Sequence, residues 1–290
     1  MHFAVMAAEA IDWLAVRPAG TYLDATAGLG GHTAEIARRL TTGRVIANDR
    51  DAESLEMTRR NTAAWADRIC YRQGAFSQLA AALPACGAQQ VNGLLADLGV
   101  SRFQLTEPAR GFSFMAEGPL DMRMDQSTGI TAADLVNQYA EKAIADLIYQ
   151  LGEERRARKI ARAIVRARPI RSTLHLAGLV EQAVPRTSHL HPATRTFMAL
   201  RMFVNDEQGE LDQLLEIGPE LLVTGGRMVA ISFTSLEDRK VKQRFRGLAQ
   251  QGRAMVLTKH PLTPSEEETA LNPASRSAKL RALEMCEIER

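Results

Sequence analysis

An alternation in the first hundred residues limits the fold more than any other feature. Four short apolar runs, TYLDAT, RVIAND, ICYRQGAF and NGLLADLGV, recur between stretches with helical spacing, HTAEIARRL, AESLEMTRRNTAAW and FSQLAAALPACG. Strands that alternate with helices form a parallel sheet covered on both faces. The rhythm stops from about Gln104 to His191, where ITAADLVNQYA, AEKAIADLIYQLG, EERRARKIARAIVRA and TLHLAGLVEQAV are helical and no run reads as a strand. Thr131 and Asp134 open the first of these in capping-box spacing. Pro169, Pro185 and Pro192 punctuate the last part. The alternation resumes with helical TRTFMALRMFVN and GELDQLLEIGPELLV, a strand GRMVAISF after a Gly225–Gly226 turn, a helix LEDRKVKQRFRGLAQ, and strands RAMVLTK and SAKLRALEMCEI. The expectation is one α/β domain, residues 1–103 and 193–290, interrupted by a helical insert over 104–192.

Composition narrows the class. With 46% hydrophobic and 24% charged residues the chain is an ordinary soluble globular protein. Net charge is only +2, so affinity for nucleic acid must come from local basic patches. Cys70, Cys86 and Cys286 form no CxxC pair, which argues against zinc and against a disulfide framework and suits a reduced cytosol. The start, MHFAVMAAEAIDWLAV, has no basic region, and Glu9 and Asp12 interrupt it, so it reads as an amphipathic helix rather than a signal peptide. No stretch is apolar and long enough to span a bilayer. A cytoplasmic protein with no membrane partner is expected.

The turn in LDATAGLGGHT joins the first strand to the first helix of the alternation and carries Gly28, Gly30 and Gly31. A strand, a glycine turn and a helix leave backbone N–H groups beside a sheet end, which suits a nucleotide-like ligand. GLGGH is not GxGxxG and has no P-loop lysine, so a triphosphate is a poor fit. Asp49 ends the second strand, where a carboxylate accepts from both ribose hydroxyls. A dinucleotide fold places an acid there too. Asp24 separates the two: at the end of the first strand it repels a pyrophosphate and welcomes an ammonium, unless it only caps the turn. S-adenosylmethionine carries an ammonium and a sulfonium and no phosphate.

The motifs DATAGLGGHT, NDRD, GAFSQL, LADLGVS, RGFSFMAEGPLDMRMD, GEERRARKIARAIV, HPATRTFMALRMFVNDE, ISFTSLEDRKVK and NPASRSAKLRALE run nearly end to end. In this order they resemble the bacterial small-subunit ribosomal RNA methyltransferase H family, also called the MraW family. The resemblance implies a Rossmann-like class I methyltransferase sheet with S-adenosylmethionine as methyl donor and no metal. It implies methylation of N4 of a decoding-centre cytosine in 16S ribosomal RNA of the small subunit. It places Gly30, Gly31 and His32 on the donor's methionine arm, Asp49 on the ribose, Phe76 on the adenine, and Asp97 and Gln104 in the donor site.

Asp97 has a second role in view. A cytosine amine is a poor nucleophile because its lone pair is delocalised, and an acceptor on that amine stabilises the charge developing during transfer. Its loop, DLGV, lacks the prolines and aromatic of other amino methyltransferases. Phe112 and Phe114 either stack on an extruded base or anchor the insert. LDMRMD either lines the cleft or is a structural turn. Arg155, Arg156, Arg158, Lys159, Arg162, Arg166, Arg168 and Arg171 surround Ile160, Ile164 and Val165, so the insert carries a basic face expected to meet RNA phosphates. Arg195 and the Glu237–Asp238 pair serve either RNA or local salt bridges. Two positions depart from the family pattern: Thr234 stands where histidine is common, and Arg102–Phe103 replace Ser-Pro. A non-catalytic RNA-binding assembly factor, a nicotinamide oxidoreductase and a DNA cytosine methyltransferase are the competing functions, and a homodimer is left open.

Overall fold

The computed structural model describes residues 4–184 and 191–287; Pro185 lies outside them. The chain divides into two compact units, residues 1–99 with 209–290, and residues 100–208.

The first unit holds a seven-stranded sheet built from β1 (Thr21–Asp24), β2 (Arg44–Asp49), β3 (Ile69–Gln73), β4 (Val91–Asp97), β5 (Leu222–Ser232), β6 (Ala254–Val256) and β7 (Lys279–Met285). Their order is β3-β2-β1-β4-β5-β7-β6. The first five are parallel, and β7 runs antiparallel to both β5 and β6. All seven strands expected from the apolar runs are present. This is the Rossmann-like α/β sheet.

Side-chain alternation explains why these strands lie buried on both sides. Neighbours point to opposite faces of a strand. Leu23, Ile46, Leu94 and Met228 accordingly pack into one apolar layer, while Tyr22, Val45, Leu95 and Val229 pack into the other. Helices α1 (Ala7–Leu14), α2 (Gly31–Arg39) and α3 (Ala52–Asn61) cover the second face through Ile11, Leu14, Ile36 and Leu55. The first face is covered by α4 (Leu79–Ala85) through Leu79 and Leu83, and by further helices introduced below.

Two expectations change here. Val91 of β4 pairs with Leu222, but Gly93 already pairs with Arg227, so Val223–Gly226 leave the ladder as an excursion inside β5. Gly225 turns it with φ +74. The Gly225–Gly226 turn therefore interrupts a strand rather than preceding one. Cys70 and Cys86 form a disulfide, contrary to the free thiols expected, while Cys286 is free. They stand 16 residues apart on β3 and at the end of α4, and the strand–turn–helix return brings their Cα atoms within 5.9 Å. Counting CxxC spacings misses a pair made by tertiary return.

The second unit is helical: α5 (Arg102–Thr106), α6 (Ala132–Gln138), α7 (Glu141–Gly152), α8 (Ala157–Arg166), α9 (Thr173–Ala183) and α10 (Thr194–Val204). Its core joins Leu135, Ile144, Ile148, Ile160, Ile164, Leu176, Val180, Phe197 and Leu200. The unit continues to Gln208. Helix α10, expected to belong with the resumed α/β part, packs here because Phe197, Ala199 and Leu200 join this core. The capping box at Thr131 is present: Thr131 Oγ1 accepts from the Asp134 amide at 3.1 Å, and Asp134 Oδ2 accepts from the Thr131 amide at 2.9 Å.

Beyond it come α11 (Glu207–Ile217), α12 (Ser235–Gln250) and α13 (Glu266–Leu271). Leu211, Leu214, Leu215, Val241, Phe245 and Leu248 complete the cover of the first face of the sheet.

Candidate active site

In an open α/β sheet, ligands sit at the carboxyl ends of the strands where the strand order reverses. Here that point lies between β1 and β4. The strands there end in Asp24 and Asp97, and β2 beside them ends in Asp49. Three carboxylates thus meet the glycine turn.

The turn is held from behind. Gly28 and Gly30 have φ of +55 and +87, which glycine adopts without strain. Thr58 Oγ1 donates to the Gly28 carbonyl at 2.8 Å, and Asn61 Nδ2 donates to the Leu29 carbonyl at 2.8 Å. A Cβ on Gly30 would lie 3.0 Å from the Thr62 methyl and 3.2 Å from the Thr58 methyl, so a side chain there would crowd both as well as meet the positive φ. Helix α2 starts immediately after it, with no side-chain cap. Its first-turn N–H groups therefore have no intrahelical partner and favour an anion.

Asp49 is fixed by two backbone donors. Its Oδ2 accepts from the Gly28 amide at 2.8 Å and its Oδ1 from the Asp51 amide at 2.9 Å. Each oxygen keeps a second lone pair for a ligand hydroxyl. Burial pushes this carboxyl up to about 7, against the pull of the Asp51 and Gly28 amides.

Asp24 behaves differently. It has no exposed surface; its Oδ2 accepts from Thr33 Oγ1 at 2.6 Å and its Oδ1 from the Thr26 amide at 3.1 Å. The direct ammonium contact expected of it is closed by this burial. It ties the strand end to the first turn of α2 and reaches the site only through its charge. Burial raises its carboxyl, with His32 and Thr33 pulling the other way.

His32 and Asp97 form the centre. His32 is 4% exposed, and its Nε2 lies 3.5 Å from Asp97 Oδ2, an ion-pair approach too long for a good hydrogen bond. Among the described residues neither ring nitrogen has a hydrogen-bond partner, and neither has Asp97 Oδ1. Buried groups of this kind are ordinarily paired, so three such atoms together mark a place built for something else. Burial opposes charge on His32, but Asp97 and Asp24 beside it prevail and hold the imidazole above its ordinary value.

Phe76 lies past β3 in a single turn, Phe76–Gln78, and its half-buried ring packs on the sheet's first apolar layer. Glu210 of α11 grips that turn, accepting from the Ser77 amide and hydroxyl at 3.0 Å each. Several supporting residues carry no warning in the sequence. Thr26 Oγ1 accepts the Asp97 amide at 2.7 Å, and Asn48 Nδ2 donates to the Gly74 carbonyl at 2.9 Å. Thr26, Thr33 and Asn48 sit inside motifs already singled out. Glu210 gives no local signal at all.

Thr234 is the N-cap of α12: its Oγ1 accepts from the Glu237 amide at 3.2 Å, and buried Glu237 accepts from the Phe233 and Thr234 amides at 2.9 Å. Asp238 binds Arg281 at 2.7 Å. The Glu237–Asp238 pair is thereby committed to capping and a salt bridge.

In the second unit, Gln104 is buried and its Oε1 accepts from the Ser101 amide at 2.9 Å. Phe112 is core, 6% exposed, which removes its ring from base stacking. Phe114 is half-buried, stacked on His191 at 4.6 Å and edge-on to Phe197 at 5.0 Å. LDMRMD is a structural turn: Leu120, Met122 and Met124 are buried, and the Arg110 guanidinium donates to the carbonyls of Arg123 and Met124 at 3.0 Å each. Arg110 also lies 5.7 Å from the Phe103 ring, so the bulk of Phe103 is taken up locally.

Helix α8 buries Ala157, Ile160, Ala161 and Ile164 and turns Arg158, Lys159, Arg162 and Arg166 to solvent, with Arg155 exposed just before it. Arg162 approaches Glu141 at 3.6 Å. Arg168 is structural, donating to the Val136 and Tyr139 carbonyls. Arg195 is exposed and donates to the Glu153 carbonyl at 2.9 Å.

The sequence profile of the MraW methylase family matches residues 1–286. The chain belongs to the MraW methylase family. It is 70% identical over 285 residues to the ribosomal RNA small subunit methyltransferase H of Solibacter usitatus, covering 98% of this chain and 100% of that one. The protein of the same name from Acidobacterium capsulatum is 51% identical, covering 98% of each. The one from a Cyanothece species is 48% identical, covering 97% of this chain and 93% of that one. Membership in a methylase family sets aside the oxidoreductase and assembly-factor readings.

Proposed function

We propose that this chain transfers a methyl group from S-adenosylmethionine to N4 of a cytosine in 16S ribosomal RNA of the small subunit. The observation that carries the reading is the group of buried atoms without a hydrogen bond, Asp97 Oδ1 and both His32 ring nitrogens, where the strand order reverses. The names of the relatives support ribosomal RNA of the small subunit as substrate; the cytosine N4 comes from the motif resemblance.

The residues present fit this donor. The uncapped first turn of α2, at Gly31 and His32, offers N–H groups to the carboxylate of the methionine arm. Asp49, held by two amides, accepts from the ribose hydroxyls. Phe76 offers a half-exposed ring to the adenine. The surrounding carboxylates favour a cation over a pyrophosphate. Gln104 stays assigned to the donor by resemblance alone.

When bound, the donor's sulfonium would supply an activated methyl to the N4 lone pair, the electrons of the C–S bond passing to sulfur as the C–N bond forms. What the protein adds is Asp97 Oδ1, which accepts a hydrogen bond from the attacking amine. That contact localises the lone pair and stabilises the positive charge growing on nitrogen. The amine then sheds one proton, for which Asp97 Oδ1 is an available acceptor, with His32 3.5 Å from the other oxygen of that carboxylate.

The RNA would lie on the basic face of α8. Arg155, Arg158 and Lys159 are exposed and have no ion-pair partner among the described residues. Phosphates are the partner that such a local density of charge favours in a chain of net charge +2. Arg195 extends the same assignment. Calorimetry on the purified chain tests the donor: S-adenosylmethionine and S-adenosylhomocysteine bind and NAD does not. The RNA assignment is checked by nucleoside mass spectrometry of small-subunit RNA from a strain lacking the gene, where N4-methylated cytidine should be missing and should return with the wild-type chain.

A further inference from the structure

Ala4 packs against the first residue of α2. A Cβ on Gly31, the first residue of α2, would lie 2.8 Å from the Ala4 Cβ, so the segment Ala4–Met6 presses on the turn assigned to the donor. Met6 is fully buried and has φ +50, a left-handed conformation uncommon for a side chain of its size. Such a backbone persists where its surroundings over-determine it. The partner that does so lies at the other end of the sequence. Glu268 Oε1 accepts the Met6 amide at 2.6 Å, across 262 residues.

Glu268 is itself well placed to hold. It sits in the first turn of α13, where the Ser265 hydroxyl accepts its amide at 3.1 Å. Its carboxylate also interacts electrostatically with His32 and Asp97, so the tie and the reacting centre are neighbours. None of the motif-derived assignments gives this residue a role.

We propose that Glu268 is a positioning residue for methyl transfer, tying Ala4–Met6 over the first turn of α2 so that the donor pocket keeps its wall. The inference rests on the donor site proposed above. A tie of this kind acts on donor binding rather than on the chemical step, because it touches the wall and not the reacting atoms. Glutamine keeps an oxygen acceptor for Met6; alanine keeps none.

Three readouts on the purified full chain test it: exchange of the Met6 amide, the dissociation constant for S-adenosylhomocysteine, and turnover at saturating donor. Glu268→Ala should unprotect Met6 and weaken product binding by roughly two- to tenfold, the factor carried by one hydrogen bond whose acceptor need not be charged. Turnover at saturation should stay within about twofold, as expected when the variant is impaired in binding alone. Glu268→Gln should restore both protection and affinity. Should Glu268→Ala fail to fold, Glu268→Asp, one methylene too short to reach Met6, takes its place. An unchanged product affinity in a variant whose Met6 amide is unprotected overturns the positioning role. So does a glutamine variant as impaired as the alanine one, which would move the effect to charge. A wild-type chain that binds no S-adenosylhomocysteine overturns the donor site instead.

Discussion

The two units put their buried polar groups to different uses. In the helical unit, Asn205 spans the Met122 carbonyl and the Met124 amide at 2.7 Å each, and Arg110 closes on two carbonyls. These bonds specify the unit's turns, and among its described residues Thr196 Oγ1 is buried without a hydrogen-bond partner. In the sheet unit, Asp97 Oδ1 at the end of β4 and both ring nitrogens of His32 in the first turn of α2 are buried without a hydrogen bond. An unmade hydrogen bond at a buried group costs on the order of 1–3 kcal/mol. A fold retains that cost where the group has a partner from outside. The helical unit instead keeps its strongest charge on the surface of α8. The difference separates a unit prepared for chemistry from one prepared for contact.

The sharpest way to break this comparison is Asp97→Asn. Removing one well-placed electrostatic partner lowers turnover by about 10²–10³. Single-turnover assays on small ribosomal subunits, with donor far above the mutant's affinity, should show that fall. A wild-type rate at saturation would leave Asp97 as a binding residue alone.

Next comes the basic face. Arg155→Glu, Arg158→Glu and Lys159→Glu together should weaken RNA binding and leave donor affinity intact. The log–log salt slope should drop by roughly one unit for each phosphate that is no longer neutralised. An unaltered slope would make the face merely solvated. A change in donor binding would blur the division between the units.

Asp49→Ala should weaken donor binding by about 1–3 kcal/mol, the range for hydrogen bonds to a charged acceptor. Calorimetry with S-adenosylhomocysteine measures it, and an unchanged affinity would move the ribose partner elsewhere.

Thr234→Ala should cost about 1 kcal/mol of stability, the usual value of an N-cap. Thermal unfolding reads this out. Because the structure gives Thr234 a capping hydrogen bond, the turnover of the variant should match wild type.

The sheet is legible in the sequence because its signal is local. TYLDAT, RVIAND and NGLLADLGV each carry the apolar run that a strand buried on both faces requires. Asp49 and Asp97 are legible too, since a strand's last residue is set by where the run ends. Asp24 is legible as a strand end but its burial is not, because that follows from Thr33 folding back over nine residues. The Cys70–Cys86 pair, the end of the helical unit at Gln208 and the Ser77–Glu210 clasp depend on residues brought together by tertiary return. Nothing in a short window announces them. Helix α13 escapes for another reason: it is six residues long and has no buried side chain, so it has no apolar stripe to read.

The raised carboxyl of Asp49 makes donor occupancy a matter of proton release. With its carboxyl pushed up to about 7, free chains at neutrality include both protonated and ionised forms. A donor that needs the ionised form must expel that proton as it binds. Calorimetry in buffers of different ionisation enthalpy should then show a heat that tracks the buffer, and affinity should fall as pH drops through 7. Asp49→Asn should weaken both dependences, leaving only what His32 contributes. The same group loads the fold in the other direction: its pKa lies above the ordinary 3.8, so its neutral form favours the folded state and stability declines as pH rises from about 4 toward 7. Acidity thus opposes the ligand and favours the empty protein, and one half-buried carboxyl couples the two.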